Sequence, residues 1–291
     1  MNSVVARCLL DPGYLDRLAR DPHGELAALP AGEETRLAIG TLDVGRVRLF
    51  AGFVTKVQHN DLWDTFPLTR ALLRHYGTEI ETFADYRAHY VELCRAGKPS
   101  RAEKATRFLT FLESRLRAAA RTDCPGLLDV LIHERLQWEV TQEVLGRGHR
   151  FSDQGRSVHH DVREAALSDS PDQCAVAACD VLRVAALDHD PTEIAARLQD
   201  GGSALAHLAP KVLCFCYWGR KSEQTVSVLT VDAATAAVLS AVDGHRTVDD
   251  VLDESRDVLP EADRTHLARV LDGAVQQGLV RLTGSPGREV G

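Results

Sequence analysis

Glu134 is the ionisable residue whose placement most suggests chemistry, because it shares one helical face with Leu127, Leu131 and Trp138. A carboxylate in an apolar stripe has a raised pKa and can serve as an acid or base. The competing reading is structural, with Glu134 paired to Arg46 or Arg48 of an earlier helix, and this is the expected role. Cys214 and Cys216 fall on one face of a strand, where two thiols could take a soft metal, but a packed strand face is the simpler reading. His149, His159 and His160 lie in a glycine-rich polar stretch, 146–160, that reads as a surface loop. No HExxH, phosphate-cradling glycine loop, nucleophile elbow or CxxC pair occurs. The seven cysteines are odd in number and scattered, so no disulfide framework is indicated. These absences point to a protein that acts by binding, with no catalytic residues, no metal and no cofactor of its own.

The means of binding lie near the C-terminus. Residues 211–217 and 224–230 are rich in β-branched, aromatic and Cys side chains, and Gly219, Arg220, Lys221 and Ser222 join them as a hairpin. Ala233 to Val242 then reads as a helix stopped by Gly244. Thr247 caps the next helix, with Asp249 and Asp250 in its first turn. Glu261 to Gln277 forms a third helix, and Leu279 to Leu282 a closing strand. If strand 224–230 is a sheet edge, its free N–H and C=O groups can pair with an extended peptide, and the third helix can wall a groove. The candidate contacts are Gln224, Thr225, Val226, Ser227, Val228 and Leu229 on the strand, with His266, Arg269, Val270 and Gly273 on the helix. Gly273 admits a close backbone, and Arg269 can meet a carboxylate.

The rest of the chain has to position that module. At 291 residues there is room for about two domains. Residues 1–150 read as a helical docking domain whose first 40 residues are a loose lead-in with one short helix, Tyr14 to Arg20. Val44, Val47, Phe50, Phe53, Val54 and Val57 then recur at helical steps and are expected to face a core. Pro67 opens a further turn, and helices follow over 68–76, 83–94, 101–121 and 127–145. Residues 151–210 read as a helical connecting region, 211–284 as the binding module and 285–291 as a disordered tail. The expected class is α+β, a mostly helical N-terminal body followed by a winged-helix-like module of a β-hairpin and three helices.

Composition excludes several partners. A net charge of −8 with a pI near 5.8 argues against nucleic acid or an anionic membrane surface. No apolar run nears the roughly 20 residues of a membrane span, and the N-terminal residues lack a signal-peptide pattern, so a cytoplasmic location is expected.

Two resemblances rest on these residues. The stretch Asp243-Gly244-His245-Arg246-Thr247-Val248-Asp249-Asp250-Val251, with helix 261–277 and Gly278-Leu279-Val280-Arg281-Leu282, resembles the recognition element of ribosomal-peptide biosynthesis, the family of the pyrroloquinoline-quinone chaperone. That resemblance implies a leader peptide added as a strand beside the small sheet and packed on the third helix. The family usually shows three strands before the helices, whereas only two are legible here. Leu62-Trp63-Asp64-Thr65-Phe66-Pro67-Leu68, Phe83-Ala84-Asp85-Tyr86 and Pro125 to Val130 leading to Glu134 resemble the partner proteins of multinuclear non-haem iron enzymes, as in methanobactin and 3-thiaglutamate biosynthesis. It implies a heterodimer with the iron enzyme, which holds the iron ligands and modifies cysteines of the precursor peptide. Trp63, Phe66, Tyr86 and Trp218 would anchor that interface if exposed, although a core position is expected for most. The alternatives are a metal-dependent helical oxidative enzyme in its own right, using Glu134 and His133, and a winged-helix DNA-binding regulator.

Overall fold

The computed structural model describes residues 2–28, 32–95, 97–118, 124–146 and 174–283. The candidate ligands His149, His159 and His160 and the tail 285–291 fall outside the described residues. The chain is α+β, with a mostly helical N-terminal body, and it divides into two compact units. The first comprises Met1–Glu134 and Ala195–Ala206, the second Arg135–Ile194 and His207–Gly291.

The first unit starts with four short helices, α1 (Asn2–Leu10), α2 (Pro12–Arg20), α3 (Pro22–Ala27) and α4 (Glu33–Gly40). The short helix expected over Tyr14 to Arg20 is α2, and the loose lead-in expected around it is corrected to further helices. Two Asp-Pro steps explain the segmentation: Pro12 and Pro22 open helices at the position where a missing N–H costs least, and Asp11 accepts the amide of Tyr14 at 3.1 Å. Val4, Cys8, Tyr14, Leu15, Leu18 and Ile39 form a small core among these helices.

Next come α5 (Val44–Val57), α6 (Pro67–His75), α7 (Glu79–Arg95), α8 (Arg101–Ala118) and α9 (Leu127–Val144). Helix α5 follows the expected period, and Val44 and Val47 pack on this small core as expected, but Phe50, Phe53 and Val57 face away. Its buried residues are Ala51, Gly52 and Thr55, whereas Leu49, Phe50, Phe53 and Val57 are exposed. The reason is close approach to α7: a Cβ on Gly52 would lie 2.5 Å from the Ile80 carbonyl oxygen and 2.8 Å from the Ala84 Cβ. Two carboxylates of α7 tie this contact to its neighbours. Glu79 meets Lys56 at 3.3 Å and Arg70 at 3.4 Å, and Asp85 meets Arg48 and Arg115.

Below that contact is an aromatic core in which Phe83 and Phe108 stack and Trp63 stands edge-on to both. Trp63, Phe66 and Tyr86 are buried here, so they belong to the core rather than to a docking face. His59 is enclosed with them. Its Nδ1 lies 2.7 Å from the Thr55 carbonyl oxygen, and burial pushes its pKa down to about 4 from 6.5. A depressed pKa makes the neutral ring the folded form, so stability from this site is complete above pH 6.5 and is lost as pH falls through 4. The expected loss is about 2–3 kcal/mol across that window. Urea titrations at stepped pH should show it, and His59→Leu should flatten that part of the profile even though the variant is less stable at neutral pH.

The second unit contains β1 (Ala175–Ala178), β2 (Val181–Leu187), β3 (Leu213–Arg220), β4 (Thr225–Val231), α11 (Ala233–Ala241), α12 (Val248–Val258), α13 (Arg264–Gln276) and β5 (Val280–Thr283). The helical connecting region expected over 151–210 is corrected: it holds helix α10 (Pro191–Gln199), but β1 and β2 also come from it. Strand β2 supplies the third strand that was not legible in the sequence: β2, β3 and β4 form an antiparallel sheet in that order. Thr247 caps α12 in a full capping box with Asp250, as its sequence indicates. Strand β1 pairs with β5 and also bridges to Thr247, so the segment between α11 and α12 is fastened to the small second sheet. Among the described residues, no helix is long and apolar enough to cross a membrane.

Candidate functional site

The registers of the three-stranded sheet sort its side chains into two faces. Leu182, Trp218 and Ser227 form one cross-strand row, and Val184, Cys216 and Leu229 the next. These rows face the helices, because Cys216 is core to the cluster built by Val238, Leu267, Leu271 and Ala274, with Leu182, Val184 and Trp218 packed against it. Cys214 and Cys216 therefore do share a face, and both are free thiols. The opposite face holds Phe215, Tyr217 and Gly219, and the part of α9 from Arg135 on, which belongs to the same unit, comes close to Gly219: a Cβ there would run into Val144 and lie 2.7 Å from Val140. Both faces of β3 are thus covered.

The covering stops at β4. In one row Cys216 is 0% exposed, but its neighbour Leu229 is 37% exposed. Strand β4 is hydrogen-bonded only to β3 among the described residues, so one side of its backbone has no strand partner. An edge with an apolar side chain partly uncovered on its helix side has two requirements of β-augmentation, free ladder groups and a side-chain subsite.

Helix α13 carries the other candidate residues. Leu267, Leu271 and Ala274 hold it to the core, while His266, Arg269 and Gly273 are turned away, with Val270 between the two groups. His266 lies near the end of β4. Asp232, which follows that strand and accepts the Thr235 amide at 2.7 Å, has its pKa held below the usual carboxylate range first by that amide and further by the charge of His266. Gly273 is open, since an added Cβ would meet nothing within 4 Å. Positions 266, 270 and 273 follow one another at helical steps along this face.

Of the expected contacts, Thr225 to Leu229 lie on the edge strand. Gln224 does not. It closes the hairpin turn with φ 53°, a left-handed backbone rare for a residue with a side chain. Arg269 is exposed and turns back towards the Thr265 carbonyl oxygen at 3.5 Å, a weak contact that leaves its guanidinium available. Trp218, considered above for an enzyme interface, instead stands beside Ser227 in the row next to the edge, with the Arg220 guanidinium 4.5 Å over its ring. Its role here was not legible because strand register depends on pairing that a single segment does not encode.

Glu134 has a positioning role. Its two carboxylate oxygens accept the amides of Leu68 and Thr69, each at 2.8 Å, at the start of α6. The expected arginine partner is replaced by a helix N-terminus, whose unpaired N–H groups attract a carboxylate just as well. Burial raises the Glu134 pKa, and the bonds from Thr69 and Leu68 oppose that rise. This contact joins two segments of the iron-enzyme-partner resemblance, Leu62 to Leu68 and the run ending at Glu134. Among the described residues no group of three or more His, Cys, Asp or Glu is arranged to hold a metal ion. No protein-family model matches the chain, and no curated protein matches it.

Proposed function

We propose that this chain is a non-catalytic partner subunit that binds the leader of a ribosomally made precursor peptide. It presents the peptide, in the cytoplasm, to a multinuclear non-haem iron enzyme that modifies the precursor, most simply at cysteine. The observation that carries the reading is the unpaired side of β4, on a strand whose Leu229 is left partly uncovered. The guest would run as an added strand along Thr225 to Leu229, with side chains directed towards Leu229 and Val270.

This division of labour needs only modest leader affinity. Holding the leader on the partner raises the local concentration of the attached substrate to roughly millimolar if the tether is short. Three strands ahead of three helices also agree with the recognition-element resemblance, in which the third strand had been the missing part. Against a DNA-binding role, Arg264 of α13 is already engaged by Asp249 and Asp253 of α12.

The test begins with reading frames beside the gene, which should include an iron-enzyme homologue and a short Cys-bearing peptide. The fluorescein-labelled leader of that peptide should bind the purified chain in an anisotropy titration. Proline at Val226 and at Ser227 then separates the two sides of the strand, because alternate N–H groups point towards β3 and away from it. One of the two variants should stay folded and lose the leader. Binding that survives in every folded proline variant places the site elsewhere.

A further inference from the structure

Antiparallel sheets commonly leave one face to water, and their strands then alternate apolar with polar residues. Strand β4 departs from this. Ser227 and Leu229 point to the helix-covered face, yet Val226 and Val228, on the opposite face, are also apolar and half-buried. The middle of the row Val181, Gly219, Val226 has no side chain of its own, and Val140 and Val144 of α9 take that space. A guest side chain placed beyond Val226 would therefore extend a row of aliphatic groups. We infer, on the leader-binding reading of the β4 edge, that the guest is recognised on both faces of its strand, with Thr141 of α9 selecting the residue that lies beyond Val226.

The orientation of α9 singles out Thr141. Glu143 pairs with Arg183 of β2 at 2.8 Å, so this side of the helix is turned towards β2. Val140 and Val144 meet the middle strand at Gly219. At about 3.6 residues per turn, Glu143, Val140, Val144 and Thr141 follow in that order around the helix, which turns Thr141 towards β4. Its height is also fixed, between Val140 and Val144. The Thr141 hydroxyl donates to the Gln137 carbonyl oxygen at 2.7 Å, so its methyl group is what an incoming side chain meets. A polar guest residue here would lose water and gain no partner. The recognised segment is therefore a run of consecutive apolar residues, and a strand apolar only at every second position is refused.

The probe is the fluorescein-labelled leader of the neighbouring Cys-bearing peptide, titrated by anisotropy with the full chain. Replacing the leader's residues by threonine in turn keeps strand propensity while removing apolar surface. Affinity should fall by about 5-fold or more at each of roughly four consecutive positions. Thr141→Arg and Thr141→Glu should each weaken binding by about 10-fold or more, whatever the charge of the leader, because both bring a charge against aliphatic groups. Gln142→Arg, on the side of α9 away from the sheet, should bind as the parent does, and circular dichroism checks that all three variants fold. The threonine scan uses the parent chain, so it decides even where a Thr141 variant fails to fold. Losses confined to alternate leader positions, or folded Thr141 variants that bind as the parent does, overturn the inference and leave the leader-binding reading intact. A leader that the parent chain does not bind, or that every folded proline variant of β4 still binds, overturns that reading and this inference with it.

Discussion

Gly273→Gln should make the protein more stable and nearly abolish leader binding. A glycine inside a helix is less favourable than glutamine by roughly 0.5–1 kcal/mol, and a Cβ added at Gly273 meets nothing within 4 Å. The melting temperature should rise by about 1–3 °C. In the proposed binding mode, in which the guest passes along α13, the same side chain would stand in its path. A 100-fold loss of affinity, about 2.7 kcal/mol, is the expected result. The opposite signs are diagnostic, because a variant that binds poorly through misfolding would melt lower. Anisotropy with the labelled leader and a thermal scan on the same samples decide the matter. A variant that melts higher and binds as before shows that the guest does not pass Gly273.

Gly52→Ala should have the reverse effect on stability although it is the same kind of change. At Gly273 alanine gains its helix propensity freely. At Gly52 the new methyl carbon would sit 2.5 Å from the Ile80 carbonyl oxygen and 2.8 Å from both the Ala84 Cβ and its backbone nitrogen. Two of these atoms are backbone, so no rotamer change relieves the contact and α5 must move away from α7. That displacement also strains the pairs Lys56–Glu79 and Arg48–Asp85, which span the same two helices. Overpacking of this kind costs about 1–3 kcal/mol and here should lie at the upper end, net of the propensity gain. Urea unfolding followed by circular dichroism should show Gly52→Ala destabilised and Gly273→Ala stabilised. Equal responses at the two positions would mean that α5 and α7 are not in the close contact described.

The local features of the C-terminal module were readable because their causes are local. Thr247 and Asp250 are three residues apart and satisfy each other across one helix turn, so the capping box is written in four consecutive residues. The hairpin of β3 and β4 belongs to the same class, although its turn falls two residues later than expected, with Gly219 and Arg220 inside β3. The Asp-Pro steps at Asp11 and Asp21 were equally local signals of helix starts. The first opens α2, the helix expected over Tyr14 to Arg20, whereas α3, with 6 residues, is too short to display a period.

Other features depended on what a segment meets. In 175–187, Ala, Val and Leu suit a strand or a buried helix alike, and only pairing with β3 and β5 makes two strands of it. Glu134 could be recognised as an inward carboxylate, but whether an arginine or a helix N-terminus awaited it depended on where α6 begins in space.

The sequence by itself determined where the helices after residue 40, the Thr247 cap and the hairpin lie, because those follow from backbone geometry and side-chain period within a few residues. Only the tertiary structure decided which face of α5 is buried and that β4 is left at an edge. A period reports that a helix has two unlike faces, and it assigns neither to the core. The close approach allowed by Ala51 and Gly52 outweighed the larger apolar stripe on the other side, so the burial of one face and the exposure of the other rest on α7, a helix whose sequence lies elsewhere in the chain.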